Sequence, residues 1–208
     1  MNRLIFCLFF GCQILIAQDA DSSRFYPNSF TVEFLGGNTF PASDDAPKTK
    51  NEKALMLHFG NNNTNNKQDW AFRLGFPRTG LMLGVIDYGN PSRIGYSISA
   101  MPFFETNVFN IKNLFVNAAY GASFLTKKKD PITNPNNTAV TTDINWACRL
   151  FFQYQLITTN NINWRIGFGY MHQSNGHFRL PNDGLNSLFV STSLQENYKS
   201  RKPMIVEA

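Results

Sequence analysis

Three polar residues near the C-terminal end of the chain have types and spacing that suit nucleophilic catalysis. His172 and Ser174 are two residues apart, and Asn186 follows a turn-rich stretch. A serine hydroxyl is a weak nucleophile that needs a neighbouring base, and histidine often supplies it. A third group that bonds the other imidazole nitrogen fixes the tautomer in which the base is free. The residue types therefore match a Ser-His-Asn arrangement.

The surrounding register predicts that these side chains share one face of a β-hairpin. Alternate residues of a strand point to the same face. His172 and Ser174 continue a series of alternate residues on the apolar face of the predicted strand, which contains Trp164, Ile166, Phe168 and Tyr170. Residues 181–184 are a turn signal, and a hairpin centred on Arg179 sets Asn186 opposite His172, with Cβ atoms about 5 Å apart.

Further candidate residues lie in or near this hairpin. Asn175, or the backbone N–H near Gly176, would stabilise the oxyanion of a tetrahedral intermediate. Arg179, Lys127 and Lys128 are candidates for phosphate contacts, with ordinary solvated loop charges as the alternative. The chemistry requires no metal or other cofactor, and no Cys/His spacing suggests zinc. Because a His-X-Ser spacing alone is uninformative, the rest of the chain has to support the interpretation.

The composition favours a membrane β-barrel. The chain has 208 residues, of which 16% are charged and 14% aromatic. Beyond the N-terminus, no stretch is apolar for the roughly 20 residues that a transmembrane helix needs. Strands of membrane barrels alternate apolar and polar residues instead. The net charge of +5 is modest and does not argue for a nucleic-acid partner.

The N-terminal segment has the features of a secretory signal peptide. Arg3 is followed by a short apolar run that closes on Ala17 and Gln18. The run is short for a membrane anchor, which is the alternative. We therefore expect a signal peptide at residues 1–18, one barrel domain at 19–198 and a polar, basic tail at 199–208.

Eight alternating segments, separated by turn-rich stretches, are predicted at residues 29–36, 53–60, 79–87, 93–105, 112–126, 141–157, 162–175 and 185–197. Their polar face is rich in Gly, Asn, Ser and Gln, with the charges Glu33, Glu105, Arg149 and Arg165. In a soluble sandwich this face would be rich in Lys, Glu and Thr. A narrow lumen in which the charges pair, with the apolar face in lipid, fits better. The predicted fold is an all-β, eight-stranded antiparallel transmembrane β-barrel.

A barrel whose chain starts in the periplasm places two long loops outside the cell, at residues 127–140 and 176–183. The turn at 158–161 then lies in the periplasm. Residues 61–79 become a long periplasmic connection, in which we expect part of a strand or a short helix.

The hairpin resembles the active-site signature of the lipid A 3-O-deacylase family. The resemblance rests on His172, Ser174, Asn175, Gly176, Pro181, Asn182, Gly184 and Asn186. Residues 102–105 are similar to a further segment seen in relatives. The family implies an eight-stranded outer-membrane barrel that hydrolyses an ester-linked acyl chain of lipid A.

By this resemblance, His172 corresponds to the general base and Ser174 to the nucleophile. Asn175 corresponds to an oxyanion-hole contributor and Asn182 to a second polar residue of the site. The family's acidic triad member falls at Asn186, which is a departure. Asparagine can accept a hydrogen bond from histidine and orient it, but it cannot stabilise an imidazolium by charge.

The leading hypothesis is an outer-membrane serine esterase acting on lipid A, or lipopolysaccharide, without a cofactor or nucleic acid. A homodimer is left open. The alternative is a non-catalytic outer-membrane barrel with a structural or lipopolysaccharide-binding role, which the loss of the acidic residue would explain. A lipocalin-like soluble carrier is disfavoured by the Gly/Asn-rich polar face.

Overall fold

In the computed structural model, the chain forms a closed barrel of eight antiparallel strands. The structure describes residues 27–109 and 111–198, so the predicted signal peptide and C-terminal tail lie outside it. The strands are β1 (Ser29–Phe40), β2 (Glu52–Asn62), β3 (Arg78–Asp87), β4 (Tyr96–Asn107), β5 (Leu114–Leu125), β6 (Ile144–Thr158), β7 (Ile162–Ser174) and β8 (Leu185–Asn197). Sequence neighbours pair with each other, and β1 closes the barrel on β8. The predicted fold class is confirmed.

The outer wall of the barrel is apolar because the outward positions of the strands carry large aliphatic and aromatic side chains. Phe34, Phe168 and Val190 are 59%, 62% and 66% exposed. A continuous apolar surface of this kind is unfavourable in water, whereas the hydrocarbon of a bilayer solvates it. Barrel closure also leaves no unpaired strand edge in lipid.

Two buried carboxylates of the lumen, those of Glu33 and Glu105, are paired with basic side chains. Glu33 accepts hydrogen bonds from Arg149 and Gln153, and its carboxylate lies 3.0 Å from His58 Nε2. Glu105 contacts Arg165 at 2.7 Å and Arg78 at 3.2 Å. Buried charges persist only when partners compensate their lost hydration. The predicted pairing of the four lumen charges is confirmed, and His58 and Arg78 are additional members.

Apolar side chains form a buried cluster inside the barrel, which includes Met56, Met82, Tyr88, Met101, Leu125, Phe151, Met171, Leu185 and Phe189. Met171 and Leu185 belong to β7 and β8, so the strands that carry the candidate site are anchored in this core. A close-packed core keeps side chains in fixed rotamers, and the outward residues between them are therefore held in fixed positions.

The connection between β2 and β3 contains a 3₁₀ helix (Asn63–Asn65) and a short helix, α1 (Asp69–Arg73). The expectation of a short helix at 61–79 is confirmed. Within the described ranges, no helix combines the length and apolar character that crossing a bilayer would take.

The end of the barrel opposite the β2–β3 connection carries the connections 41–51, 88–95, 126–143 and 175–184. We assign this end to the outside because outer-membrane barrels keep long loops outside the cell and short turns in the periplasm.

Candidate active site

The antiparallel pairing of β7 and β8 brings the three predicted residues together. His172 lies directly opposite Asn186, and Ser174 ends β7 two residues further on. Between them on β7, Met171 and Gln173 point into the lumen and are each 1% exposed. The alternation therefore turns His172, Ser174 and Asn186 to the outer wall, as the register predicts.

The hydrogen bonds around His172 define its working tautomer. His172 Nδ1 lies 2.7 Å from Asn186 Oδ1, and His172 Nε2 lies 2.9 Å from Ser174 Oγ. A carbonyl oxygen only accepts hydrogen bonds, so Nδ1 carries the hydrogen and Nε2 is left to accept from the serine hydroxyl. This is the arrangement in which imidazole can take the proton of a nucleophile.

Two further residues complete the group, and neither is among the predicted site residues. The Tyr170 hydroxyl donates to Asn186 Oδ1 at 2.6 Å, and its ring stacks on the His172 imidazole with centroids 6.4 Å apart. Gly184 has φ +73°, and a Cβ there would lie 2.9 Å from His172 Cε1. Its missing side chain leaves room for the imidazole. The shared outward register of Tyr170 is the signal that identifies it.

The loop residues predicted for the oxyanion divide into two kinds. The Asn175 side chain is buried, and its Nδ2 donates to Thr141 Oγ1 and to the Arg179 carbonyl. The Asn175 backbone N–H donates to Asn182 Oδ1. Both asparagines therefore hold the loop together. The Gly176 N–H points at Ser174 Oγ, 3.4 Å away, so it is the donor best placed for an oxyanion.

The three predicted phosphate-contact cations lie in the extracellular loops. Arg179 and Lys127 are exposed. Lys128 forms an ion pair with Asp143, so an anion would compete with that carboxylate for Lys128. None of these cations contacts the His172–Ser174 pair among the hydrogen bonds of the described residues.

Aromatic and apolar surfaces border the site on both sides. Trp146 is opposite Ser174 on β6 and stacks on Tyr120 with centroids 5.5 Å apart. On the other side, Phe40 of β1 is opposite Asn186. From there, an outer-wall groove of about 680 Å³ runs along β8 and β1, lined in part by Gly36, Phe40, Phe168, Leu188 and Val190.

Fold and site together define a class of protein: a transmembrane β-barrel that presents a hydrogen-bonded serine–histidine pair to lipid. The family model "Lipid A 3-O-deacylase (PagL)" matches residues 48–195. The chain belongs to this family, which confirms the resemblance of the hairpin and the predicted outer-membrane location.

One of the similar solved structures supports the same architecture. The outer membrane enzyme PagL is similar, with a TM-score of 0.54 and 18% identity, over 78% of this chain and 97% of that chain. Neisserial surface protein A gives a TM-score of 0.49 at 8% identity, over 82% and 96% of the two chains. Outer membrane protein AlkL gives 0.39 at 10% identity, over 89% and 97%. No curated protein sequence matches the chain.

Proposed function

We propose that this protein is an outer-membrane serine esterase that removes an ester-linked acyl chain from lipid A. The observation that carries the proposal is the chain of contacts from Ser174 to His172 at 2.9 Å and from His172 to Asn186 at 2.7 Å, on a wall that faces lipid. Membership of the lipid A 3-O-deacylase family supplies the substrate class.

Ser174 and His172 carry the proton and electron movements of the proposed reaction. Ser174 Oγ attacks the ester carbonyl while His172 Nε2 takes the hydroxyl proton, giving a tetrahedral intermediate. The intermediate collapses as His172 returns the proton to the departing sugar oxygen, which leaves an acyl-serine. A water molecule then gives a proton to His172 Nε2 while its oxygen attacks the acyl carbon. The bond between the acyl carbon and Ser174 Oγ breaks as His172 returns that proton to Ser174 Oγ. Fatty acid and free Ser174 result.

The Gly176 N–H is the proposed oxyanion donor. It lies 3.4 Å from Ser174 Oγ, whereas the Asn175 amide hydrogens are already bonded to Thr141 and Arg179. A backbone N–H aimed at the developing negative charge stabilises the transition state without moving. Asn175 and Asn182 contribute by holding the loop conformation that aims Gly176.

The lipid-facing position of the site suits a substrate that stays in the membrane. An acyl chain on the outer wall would follow the groove beside Asn186 that Phe40, Leu188 and Val190 line. The lipid A phosphates would lie at the extracellular rim, where Arg179 and Lys127 are exposed. Arg and Lys are well suited to phosphate.

Asn186 sets the level of activity, and two substitutions test its role. Asn186→Asp keeps the shape and adds a charge, and we expect kcat to rise about fivefold because a hydrogen bond to a charged group is about 1 kcal/mol stronger. Asn186→Leu removes the acceptor, and we expect kcat to fall about 10²-fold or more as control of the tautomer is lost. Initial rates of fatty-acid release from lipid A in detergent micelles measure both. Full activity of Asn186→Leu would exclude a role for this residue in orienting His172.

The lipid A mass spectrum of a bacterium that expresses the chain tests the proposed function. We expect a new lipid A species lighter by one ester-linked acyl chain, absent from cells with the empty vector. Asn186, at the position of the family's acidic residue, is the one observation that favours the non-catalytic barrel. An unchanged spectrum, with the folded protein present in the outer membrane, would support that alternative.

A further inference from the structure

We infer that Tyr170 is a positioning residue that selects the productive orientation of the Asn186 carboxamide and so the productive tautomer of His172. The inference rests on the proposed function. Tyr170 precedes His172 by two residues on the outward face of β7, and its hydroxyl reaches across to β8.

The Tyr170 hydroxyl and the His172 Nδ1–H both donate to the same oxygen atom, Asn186 Oδ1. Asn186 Oδ1 accepts from the Tyr170 hydroxyl at 2.6 Å, and it lies 2.7 Å from His172 Nδ1. A carbonyl oxygen has two lone pairs and can accept both bonds. The stacking of the tyrosine ring on the imidazole keeps the two donors side by side.

The opposite orientation of the amide would disable the base. A half-turn of the Asn186 side chain would present Nδ2 to His172, so Nδ1 would have to accept and the hydrogen would move to Nε2. An Nε2–H imidazole cannot take the proton of Ser174. The half-turn would also leave the Tyr170 hydroxyl hydrogen without an acceptor on a wall that faces lipid, where an unmet polar group is costly. Tyr170 therefore favours the productive orientation.

A carboxylate at position 186 would not need this selection because its two oxygens are equivalent. The dependence on Tyr170 should therefore be specific to asparagine at this position. We expect Tyr170→Phe to lower kcat about fivefold with little change in KM. In the Asn186→Asp background, we expect the same substitution to change kcat less than about twofold. Tyr154→Phe is the control, since Tyr154 is an exposed tyrosine near the periplasmic end of β6, far from His172 and Asn186.

A second readout does not depend on turnover. The ¹⁵N NMR shifts of the His172 ring nitrogens in detergent micelles report the tautomer, and we expect Tyr170→Phe to move part of the population from Nδ1–H to Nε2–H. An equal loss of kcat in both backgrounds, or an unchanged tautomer, would overturn the inference. If Ser174→Ala kept full activity, the proposed function would fail, while the NMR result would still decide the role of Tyr170.

A second inference concerns the periplasmic end and is independent of the site. Apolar side chains of the β2–β3 and β4–β5 connections are uncovered there, with Phe72 70% and Phe109 77% exposed. We call this the periplasmic apolar surface, and it consists of Trp70, Phe72, Leu74, Phe76, Phe109 and Ile111.

The β2–β3 connection folds back towards the lipid side of the barrel. Ala71 of α1 is buried, which holds the short helix against the protein. The Leu74 carbonyl accepts a hydrogen bond at 3.0 Å from Thr106 Oγ1. Thr106 belongs to the outward register of β4, so the connection sits at the edge of the apolar outer wall and continues it.

We propose that this surface inserts into the periplasmic leaflet of the membrane. Three cations accompany it, Lys67, Arg73 and Lys112, against the single acid Asp69, which forms an ion pair with Arg73. This mixture of aromatic and basic side chains matches the lipid interface, where aromatic rings lie at headgroup level and cations meet phosphates.

Tryptophan fluorescence in vesicles of phosphatidylethanolamine and phosphatidylglycerol tests this inference. The chain has three tryptophans, so Trp146→Phe with Trp164→Phe leaves Trp70 alone. We expect lipids with brominated acyl chains to quench Trp70 at least about twice as strongly as an Ile132→Trp control that lacks the native tryptophans. Ile132 is 89% exposed in an extracellular loop. Quenching of Trp70 by aqueous acrylamide instead, or by neither agent, would overturn the inference.

Discussion

Replacing Ser174 by alanine is expected to lower the rate of lipid A deacylation by at least about 10⁴-fold, because the atom that forms the acyl intermediate is removed. The Ser174 hydroxyl lies 2.9 Å from His172 Nε2, and neither His172 nor Asn186 can replace it as the nucleophile. Purified wild-type and variant proteins in the same detergent, assayed for fatty-acid release from lipid A, give the ratio directly.

Ser92→Ala is the matched control for this substitution. Ser92 lies in the extracellular connection between β3 and β4, where its hydroxyl donates to Asn90 Oδ1 two residues earlier, and we expect activity within about twofold of wild type. The heat-modifiable migration of the folded barrel on a gel shows that both variants fold. Substantial activity in folded Ser174→Ala would mean that another group is the nucleophile.

Replacing His172 by glutamine is expected to lower kcat by about 10³-fold to 10⁴-fold, because the general base and acid are lost. Glutamine keeps hydrogen-bonding capacity but does not take up a proton at neutral pH. The double variant with Ser174→Ala should be no slower than Ser174→Ala alone, since residues that act as one unit are not additive.

His177→Gln is the control for the histidine substitution. His177 is exposed in the loop between β7 and β8, five residues after His172, and we expect little change in rate. If both variants lost activity equally, the effect would belong to the loop conformation. If His172→Gln kept wild-type activity, His172 would not be the base.

The period-two alternation of strands explains how much of the site the sequence predicts. Parity along β7 and β8 places His172, Ser174 and Asn186 on one face, and the turn chemistry of the hairpin sets His172 opposite Asn186. The pairing of Glu33 with Arg149 in the lumen follows from the same parity together with barrel closure.

The sequence does not predict contacts that depend on side-chain rotamers or on the packing of loops. Parity places Tyr170 outward, but only its rotamer shows that the hydroxyl meets Asn186. The bond from Asn175 to Thr141 joins two loops whose relative position depends on the closed barrel. For that reason the sequence suggests Asn175 as an oxyanion donor, whereas the structure shows its amide hydrogens already bonded to Thr141 and to the Arg179 carbonyl.

The most direct test of the central claim is covalent labelling of the folded protein with a fluorophosphonate, followed by mass spectrometry of its peptides. Such reagents form a stable adduct with a serine that a histidine activates. We predict one adduct on Ser174 in the wild-type protein, and a labelling rate lower by about 10²-fold or more in His172→Gln. An adduct on a different serine, or none while the same preparation deacylates lipid A, would contradict Ser174 as the nucleophile.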